Sequence, residues 1–198
     1  HKAIFSNNIE RYKIIWPTQK QHSKYITYDT DLQNRVRREL QKRLDRGERC
    51  RKPETLSIGS SDKEYRFYPP KIVLSQTVHR ANQKVELQAA LDDKVGYYGN
   101  VSVHLIQHED VIYLKFLLAI LNSSLISFYA IDKKLILGSE PGSKKTPQLR
   151  KGAMDRLPIK EIQKEKQKPF ALLTDQILAI TKDGNSFPDP AKQAKVKE

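Results

Sequence analysis

The chain has 198 residues, enough to bury a core of its own, and carries 36 Lys and Arg against 23 Asp and Glu, for a formal charge of +13 and a pI near 9.7. That surplus favours a polyanionic partner, because each cation laid on a phosphate releases condensed counterions; a merely soluble basic protein is the plain alternative. A single cysteine, Cys50, excludes an internal disulfide framework and a cysteine-rich zinc site and fits a reducing cytosol, and the longest apolar run, around Phe116 to Ile120, is too short to span a bilayer.

His1-Lys2-Ala3-Ile4-Phe5 is not followed by an apolar core, so no secretory signal is expected; the chain begins without methionine and is expected to come from a longer polypeptide. Residues 11 to 16 and 24 to 28 read as strands. Asp31 to Arg46 reads as a helix, with Leu32, Val36, Leu40 and Leu44 forming one apolar stripe, Thr30 or Asp31 placed to cap it and Gly47 to end it. Its remaining faces are basic, through Arg35, Arg37, Arg38, Lys42, Arg43 and Arg46, and Arg49, Arg51 and Lys52 continue the run. Residues 53 to 70 read as a loop with Tyr65, Phe67 and Tyr68 inserted.

Strands are expected at 71–77, 85–91 and 101–106, the last alternating apolar and polar as a half-buried strand does. Tyr113 to Ile131 is the strongest helix signal, with Leu114, Leu117, Leu118, Leu121, Leu125 and Phe128 on a broad apolar face. A polar, cationic loop follows from Gly138 to Lys151. Ile162 to Ile180 reads as a further helix, with Phe170, Leu173, Ile177 and Ile180 on one face and Pro169 near its first turn or as a break. Residues 183 to 198 are polar and contain proline, and are expected to be disordered. Short strands and helices without regular alternation predict an α+β fold: small, mainly antiparallel sheets with packed helices and a C-terminal helix. The expected division is 1–160 for the main domain, 161–182 for the helix and 183–198 for the tail.

No catalytic constellation is evident. The only Pro-Pro, Pro69-Pro70, follows Tyr68 and lacks the asparagine that an Asn-Pro-Pro-Tyr loop uses to hold a flipped adenine; no glycine-rich loop suggests cofactor phosphates, and no Glu is followed two residues later by Lys, as nucleases of the restriction type require. Asp92 and Asp93 are adjacent, so on a strand they point to opposite faces, which suits a turn better than a metal. His104 and His108 would share a face only on a helix, in a region that reads as strand and turn, so zinc is not expected. Asn122 is read as a structural hydrogen bonder, and Ser123 and Ser124 as packing or back-bonding hydroxyls.

Three stretches suit DNA. Arg35, Arg38, Lys42 and Arg43 on the basic helix could track phosphates, or form a solvated face partly balanced by Glu39, Asp45 and Glu48. His79, Arg80, Asn82, Gln83 and Lys84 lie between two predicted strands, on a hairpin dense in groups that pair with guanine or adenine edges; an ordinary polar hairpin is the alternative. Tyr97 and Tyr98 beside Lys94 could contact sugars and bases, or pack in a sheet, and Lys144 and Lys145 after Gly142 could meet phosphates. Lys133 and Lys134 are further phosphate candidates, or simply favour the dipole of the preceding helix.

The order of motifs resembles the C-terminal specificity domain of TaqI-like N6-adenine DNA methyltransferases and restriction-modification enzymes. The resemblance runs from Asn8-Ile9-Glu10-Arg11-Tyr12 through Pro69-Pro70-Lys71-Ile72-Val73-Leu74-Ser75-Gln76-Thr77 and Leu91-Asp92-Asp93-Lys94-Val95-Gly96-Tyr97-Tyr98. It continues with Ala119-Ile120-Leu121-Asn122-Ser123-Ser124-Leu125 and Arg156-Leu157-Pro158-Ile159. It implies a target-recognition domain that binds double-stranded DNA and packs against a Rossmann-type methyltransferase domain, with S-adenosylmethionine held there, in a bacterial, cytoplasmic type II system with or without a fused endonuclease. It implies that recognition lies in the half of the chain that holds the 76–84 hairpin and that this chain is catalytically silent by itself. The Ile162 to Ile180 helix would then be a spacer or dimer element, or pack back on the domain. A protein-interaction module and a nuclease fragment are the rival readings, and RNA binding rests on charge alone.

Overall fold

The computed structural model describes residues 2–16, 24–25, 30–50, 52–53, 68–81, 84–100, 102–140 and 143–182. In chain order its strands are β1 (Lys2–Ile4), β2 (Ile9–Glu10), β3 (Lys13–Ile14), β4 (Lys24–Tyr25), β5 (Lys71–Ser75), β6 (His79–Ala81) and β7 (Lys84–Glu86). They continue as β8 (Ala89–Asp92), β9 (Tyr98–Gly99), β10 (Val103–Gln107), β11 (Ile136–Leu137) and β12 (Gln148–Leu149). The helices are α1 (Thr30–Asp45), α2 (Val111–Leu121), α3 (Ser124–Asp132), α4 (Lys151–Met154) and α5 (Lys164–Lys182). The predicted tail at 183–198 and most of the loop at 53–70 lie outside the described residues.

The centre is β5, buried along its whole length, with β8 and β10 antiparallel on either side; Val73 lies opposite Ala90 and Leu105. A strand buried on both faces presents alternate residues to two layers. Ile72 and Leu74 face the larger core with Leu114, Leu117, Leu118 and Leu121 of α2, whereas Val73 faces Ile4, Ile9, Ala90 and Tyr97. A second sheet, in the order β4-β1-β9, holds the one parallel pair among the described residues, and β2–β3, β6–β7 and β11–β12 are two-stranded antiparallel ribbons. Predominantly antiparallel small sheets with packed helices make the α+β architecture that the sequence predicts.

The expected helix from Tyr113 to Ile131 is in fact two, α2 and α3, bent by 61° at Asn122–Ser123. The cause is local. Ser123 is extended (φ −72°, ψ 145°) and its hydroxyl accepts from the Ile126 amide, which caps α3. The Asn122 side chain turns away from the helix and satisfies both backbone groups of Ala89, accepting from its N–H and donating to its carbonyl, each at 2.9 Å. The structural roles read for Asn122 and Ser123 hold, and Ser123 also back-bonds to the Ile120 carbonyl at 2.7 Å. The expected strand at 85–91 is likewise split, into β7 and β8, with the Leu87 amide donating to the Ser127 hydroxyl at 3.1 Å in the gap.

Helix α5 packs along α2, so it belongs to the body of the fold. Its packed face corrects the sequence expectation in part: Ile177 packs against the core as expected, but Gln167, Ala171, Thr174 and Thr181 are the buried residues, while Phe170 is 42% and Leu173 57% exposed. Small residues win that face because they let two helix backbones approach closely. Thr174 then donates to the Lys115 carbonyl at 3.0 Å, Lys115 pairs with Asp175 at 2.6 Å, and Lys164 pairs with Asp110 at 2.5 Å. Asp110 also caps α2 by accepting from the Ile112 amide, and Lys164 holds its carboxyl below the usual carboxylate range. Pro169 sits inside α5 without ending it.

Helix α1 ends as the sequence predicts. Gly47 takes a left-handed conformation (φ 77°), its amide donates to Leu44, and the Glu48 amide donates to Arg43, the bonding pattern of a glycine-terminated helix. The apolar stripe, in contrast, finds no deep core: Val36 is 39% exposed and Leu40 and Leu44 are only half-buried.

Candidate nucleic-acid interface

The two acids at 92 and 93 do separate, because β8 ends at buried Asp92 and exposed Asp93 opens the turn, and Asp92 is spent on the fold. Its carboxylate, only 1% exposed, accepts from Lys71 Nζ at 2.6 Å and from the amides of Tyr97 (2.6 Å), Val95 (3.0 Å) and Gly96 (3.1 Å). Gly96 supplies the positive φ (71°) that lets the loop wrap its own acid. Burial pushes the Lys71 amine below its ordinary value, and the Asp92 carboxylate opposes that. Among the described residues no three His, Cys, Asp or Glu side chains gather as a metal site. His104 meets the Leu149 carbonyl at 2.8 Å, and His108 stacks near Tyr113 with ring centroids 4.5 Å apart.

Tyr97 and Tyr98 belong to sheet packing, which corrects their reading as sugar and base contacts. Tyr97 lies 6.0 Å from the Trp16 ring and is 8% exposed; Tyr98 sits opposite Ala3 in the β1–β9 pair and is 2% exposed. Burial, then the nearby Asp92 charge, pushes the Tyr97 phenol up. Rings so enclosed offer no open face for a base to stack on.

On α1, Arg35, Arg38 and Lys42 are exposed, and Arg38 donates to the Asn34 carbonyl at 3.3 Å. Arg43 is different: its Nε donates to Glu48 at 2.7 Å, Arg46 donates to the same carboxylate at 2.9 Å, and together they hold Glu48 below the usual carboxylate range. The basic run is therefore partly neutralised from within at its C-terminal end. Lys144 and Lys145 are exposed; Lys133 pairs with Asp132 at 2.9 Å. His79, Arg80 and Lys84 are carried by β6 and β7, in register with Glu86, Val85 and Ala81 respectively, while the tip residues Asn82 and Gln83, like Gly142, lie outside the described residues.

What the sequence does not reveal is that two cationic hairpins start from one ladder. The Val78 amide donates to the Pro147 carbonyl and the Leu149 amide to the Gln76 carbonyl, each at 2.9 Å, with Thr77 bridged to Gln148. The chain entering β6 and the chain entering β12 are thereby side by side. Next to this junction an open cavity of about 600 Å³ appears, with Lys145, Gln148 and Arg150 on its walls; Gln148 and Arg150 are absent from the residues that composition and motif nominate. A polar alternation signal around Leu149 could have flagged them, but two residues of strand are too few to establish a period.

The N-terminal motif also acquires a place. Arg11 donates to the Asn122 carbonyl and lies 3.6 Å from Glu86, and the Tyr12 amide donates to the Ala89 carbonyl at 2.8 Å. Burial pushes the Tyr12 phenol up. Arg11-Tyr12 and the Leu-Asn-Ser element, 111 residues apart in sequence, thus close on the same end of β8. Elsewhere an apolar groove of about 570 Å³ runs between α2, α3 and the start of α5, with exposed Leu125 and Phe170 on its walls.

Compared with known proteins, residues 1–159 match a family model described as the TaqI-like C-terminal specificity domain, while no curated protein matches the chain. The match ends before α5, although that helix shares the core built by α2. With the Arg11-Tyr12 hairpin, the buried β5, the Asp92 turn and the Asn122–Ser123 break all falling within the matched residues, the chain belongs to the family of TaqI-like C-terminal specificity domains.

Proposed function

We propose that this chain reads double-stranded DNA sequence for a bacterial, cytoplasmic restriction-modification enzyme that methylates adenine. It contributes no catalytic group. The observation that carries the reading is the junction at Gln76–Val78 and Pro147–Leu149, which sets the β6–β7 hairpin and the cationic Ser143–Thr146 turn side by side. Two adjacent loops of this chemistry can meet consecutive parts of one groove, with the net charge of +13 supplying phosphate attraction. The methyl donor, S-adenosylmethionine, and the flipped adenine belong to a methyltransferase domain of the same polypeptide or complex.

The exposed apolar side chains of α3 and α5, Leu125, Phe128, Phe170, Leu172 and Leu173, offer a surface that suits a protein neighbour. It favours packing against that methyltransferase domain, and it is also the one feature that supports the rival reading as a pure interaction module. Salt separates the two readings. Binding of this chain to a random-sequence duplex pool, followed by fluorescence anisotropy, is expected to weaken steeply with salt. Arg35, Arg38, Lys42, Lys144 and Lys145 on five phosphates give a log-log slope of about −4.5. Absence of binding at low salt would return the chain to the interaction-module reading.

A further inference from the structure

We infer that Gln148 and Arg150 read base edges and that Lys145 anchors a phosphate beside them. This inference rests on the DNA-recognition reading above. Leu149 is fully buried, so strand alternation sends its neighbours Gln148 and Arg150 out through the opposite face, and both line the 600 Å³ cavity. Gln148 is half-buried and Arg150 exposed, and among the described residues no hydrogen bond or ion pair occupies either side chain. Both are forks that bind in two-point fashion: a glutamine amide matches adenine N6 and N7, and a guanidinium matches guanine O6 and N7.

The geometry suits a base pair better than a phosphate at the centre of the cavity. Glu140 lies on the same wall, and a carboxylate repels phosphate but accepts from the cytosine amino group. Lys145 and Thr146 sit on the turn leading into β12, where an ammonium reaches a neighbouring phosphate. The β11–β12 pair is a two-stranded ribbon, a shape that the major groove admits. Residues two apart on a strand are separated by about 6.8 Å, against a base-pair rise of about 3.4 Å, so the two forks address positions about two steps apart. The ribbon is held rigidly for the purpose: the Leu149 amide donates to Gln76, the Leu149 carbonyl meets His104, and Thr77 bridges Gln148.

The test is selection of duplexes from a random pool, with sequencing, for this chain and for Gln148→Ala, Arg150→Ala, Arg150→Lys and Lys145→Ala. The unaltered chain is expected to enrich a short motif. Gln148→Ala and Arg150→Ala should each lose preference at one position, the two positions about two steps apart, with affinity for the original motif falling at least about fivefold. Arg150→Lys keeps the charge but not the fork, and should relax the same position as Arg150→Ala. Lys145→Ala should keep the motif and reduce the salt slope by about one. An unchanged motif and affinity in both Gln148→Ala and Arg150→Ala overturns this inference and leaves DNA recognition standing. Salt-sensitive binding by the unaltered chain without any motif overturns base reading at these residues alone. No duplex retention even at low salt overturns both readings.

Discussion

Asp92 and Gln148 are both polar residues on short strands, and the fold treats them in opposite ways. At Asp92 a buried carboxylate receives four donors within 3.1 Å, one of them an equally buried lysine. At Gln148, and at Arg150 beyond it, the chain faces an open cavity and the side chains take no partner among the described residues. A buried charge must be paired because the protein interior cannot replace its hydration; a group at the rim of a cavity keeps water until something better arrives. The comparison separates polar residues that hold this protein together from those left available to a ligand.

Substitutions should divide along the same line. Asp92→Ala is expected to have the largest effect, about 3–5 kcal/mol of stability, because it removes the carboxylate from the buried Lys71 ammonium and uncaps three amides. Denaturant unfolding measures it, and a loss below about 1 kcal/mol would mean that water enters and rescues Lys71. Asn122→Ala comes next, at about 1–3 kcal/mol, since it leaves the Ala89 N–H and carbonyl without their side-chain partner. If the Ser123 cap sets the helix break, the thermal midpoint drops while the helical circular dichroism is unchanged; a gain in helical signal would mean that the Asn122–Ala89 pair sets it. The smallest effect on stability belongs to Gln148→Ala and Arg150→Ala, within about 0.5 kcal/mol of the unaltered chain, although these are the substitutions expected to change DNA selection. A large loss of stability in either would erase the contrast with Asp92.

Much of the architecture is legible in order and type. The strand at β5, the alternating residues of β10, the Gly47 stop of α1, the small antiparallel sheets and the turn around Asp92 all follow from local pattern, because turn chemistry and side-chain period act over a few residues. The Leu121-Asn122-Ser123 element reads as structural, but the bend it makes does not, since the apolar face continues through Leu125 and Phe128 without a glycine or proline to mark an end. Both of those residues are exposed, at 76% and 67%, so the stripe that predicts one buried helix describes two different environments. In α5 the stripe divides: Leu173 is exposed while Ile177 packs against the core, and Ala171, Thr174 and Thr181 share the packed side.

The sequence by itself determined the α+β class, the family to which the chain belongs, the basic charge and the lack of a legible catalytic motif, because composition, local period and motif order carry those directly. Only the tertiary structure decided which charges are spent. It buried Tyr97, Tyr98 and Asp92, diverted Arg43 to Glu48, and joined residues 76–78 to 147–149 across some seventy positions so that Gln148 and Arg150 line one cavity beside the β6–β7 hairpin. The physical reason is that burial and pairing depend on what the rest of the chain brings to a side chain, and a local pattern holds no record of a neighbour so far away.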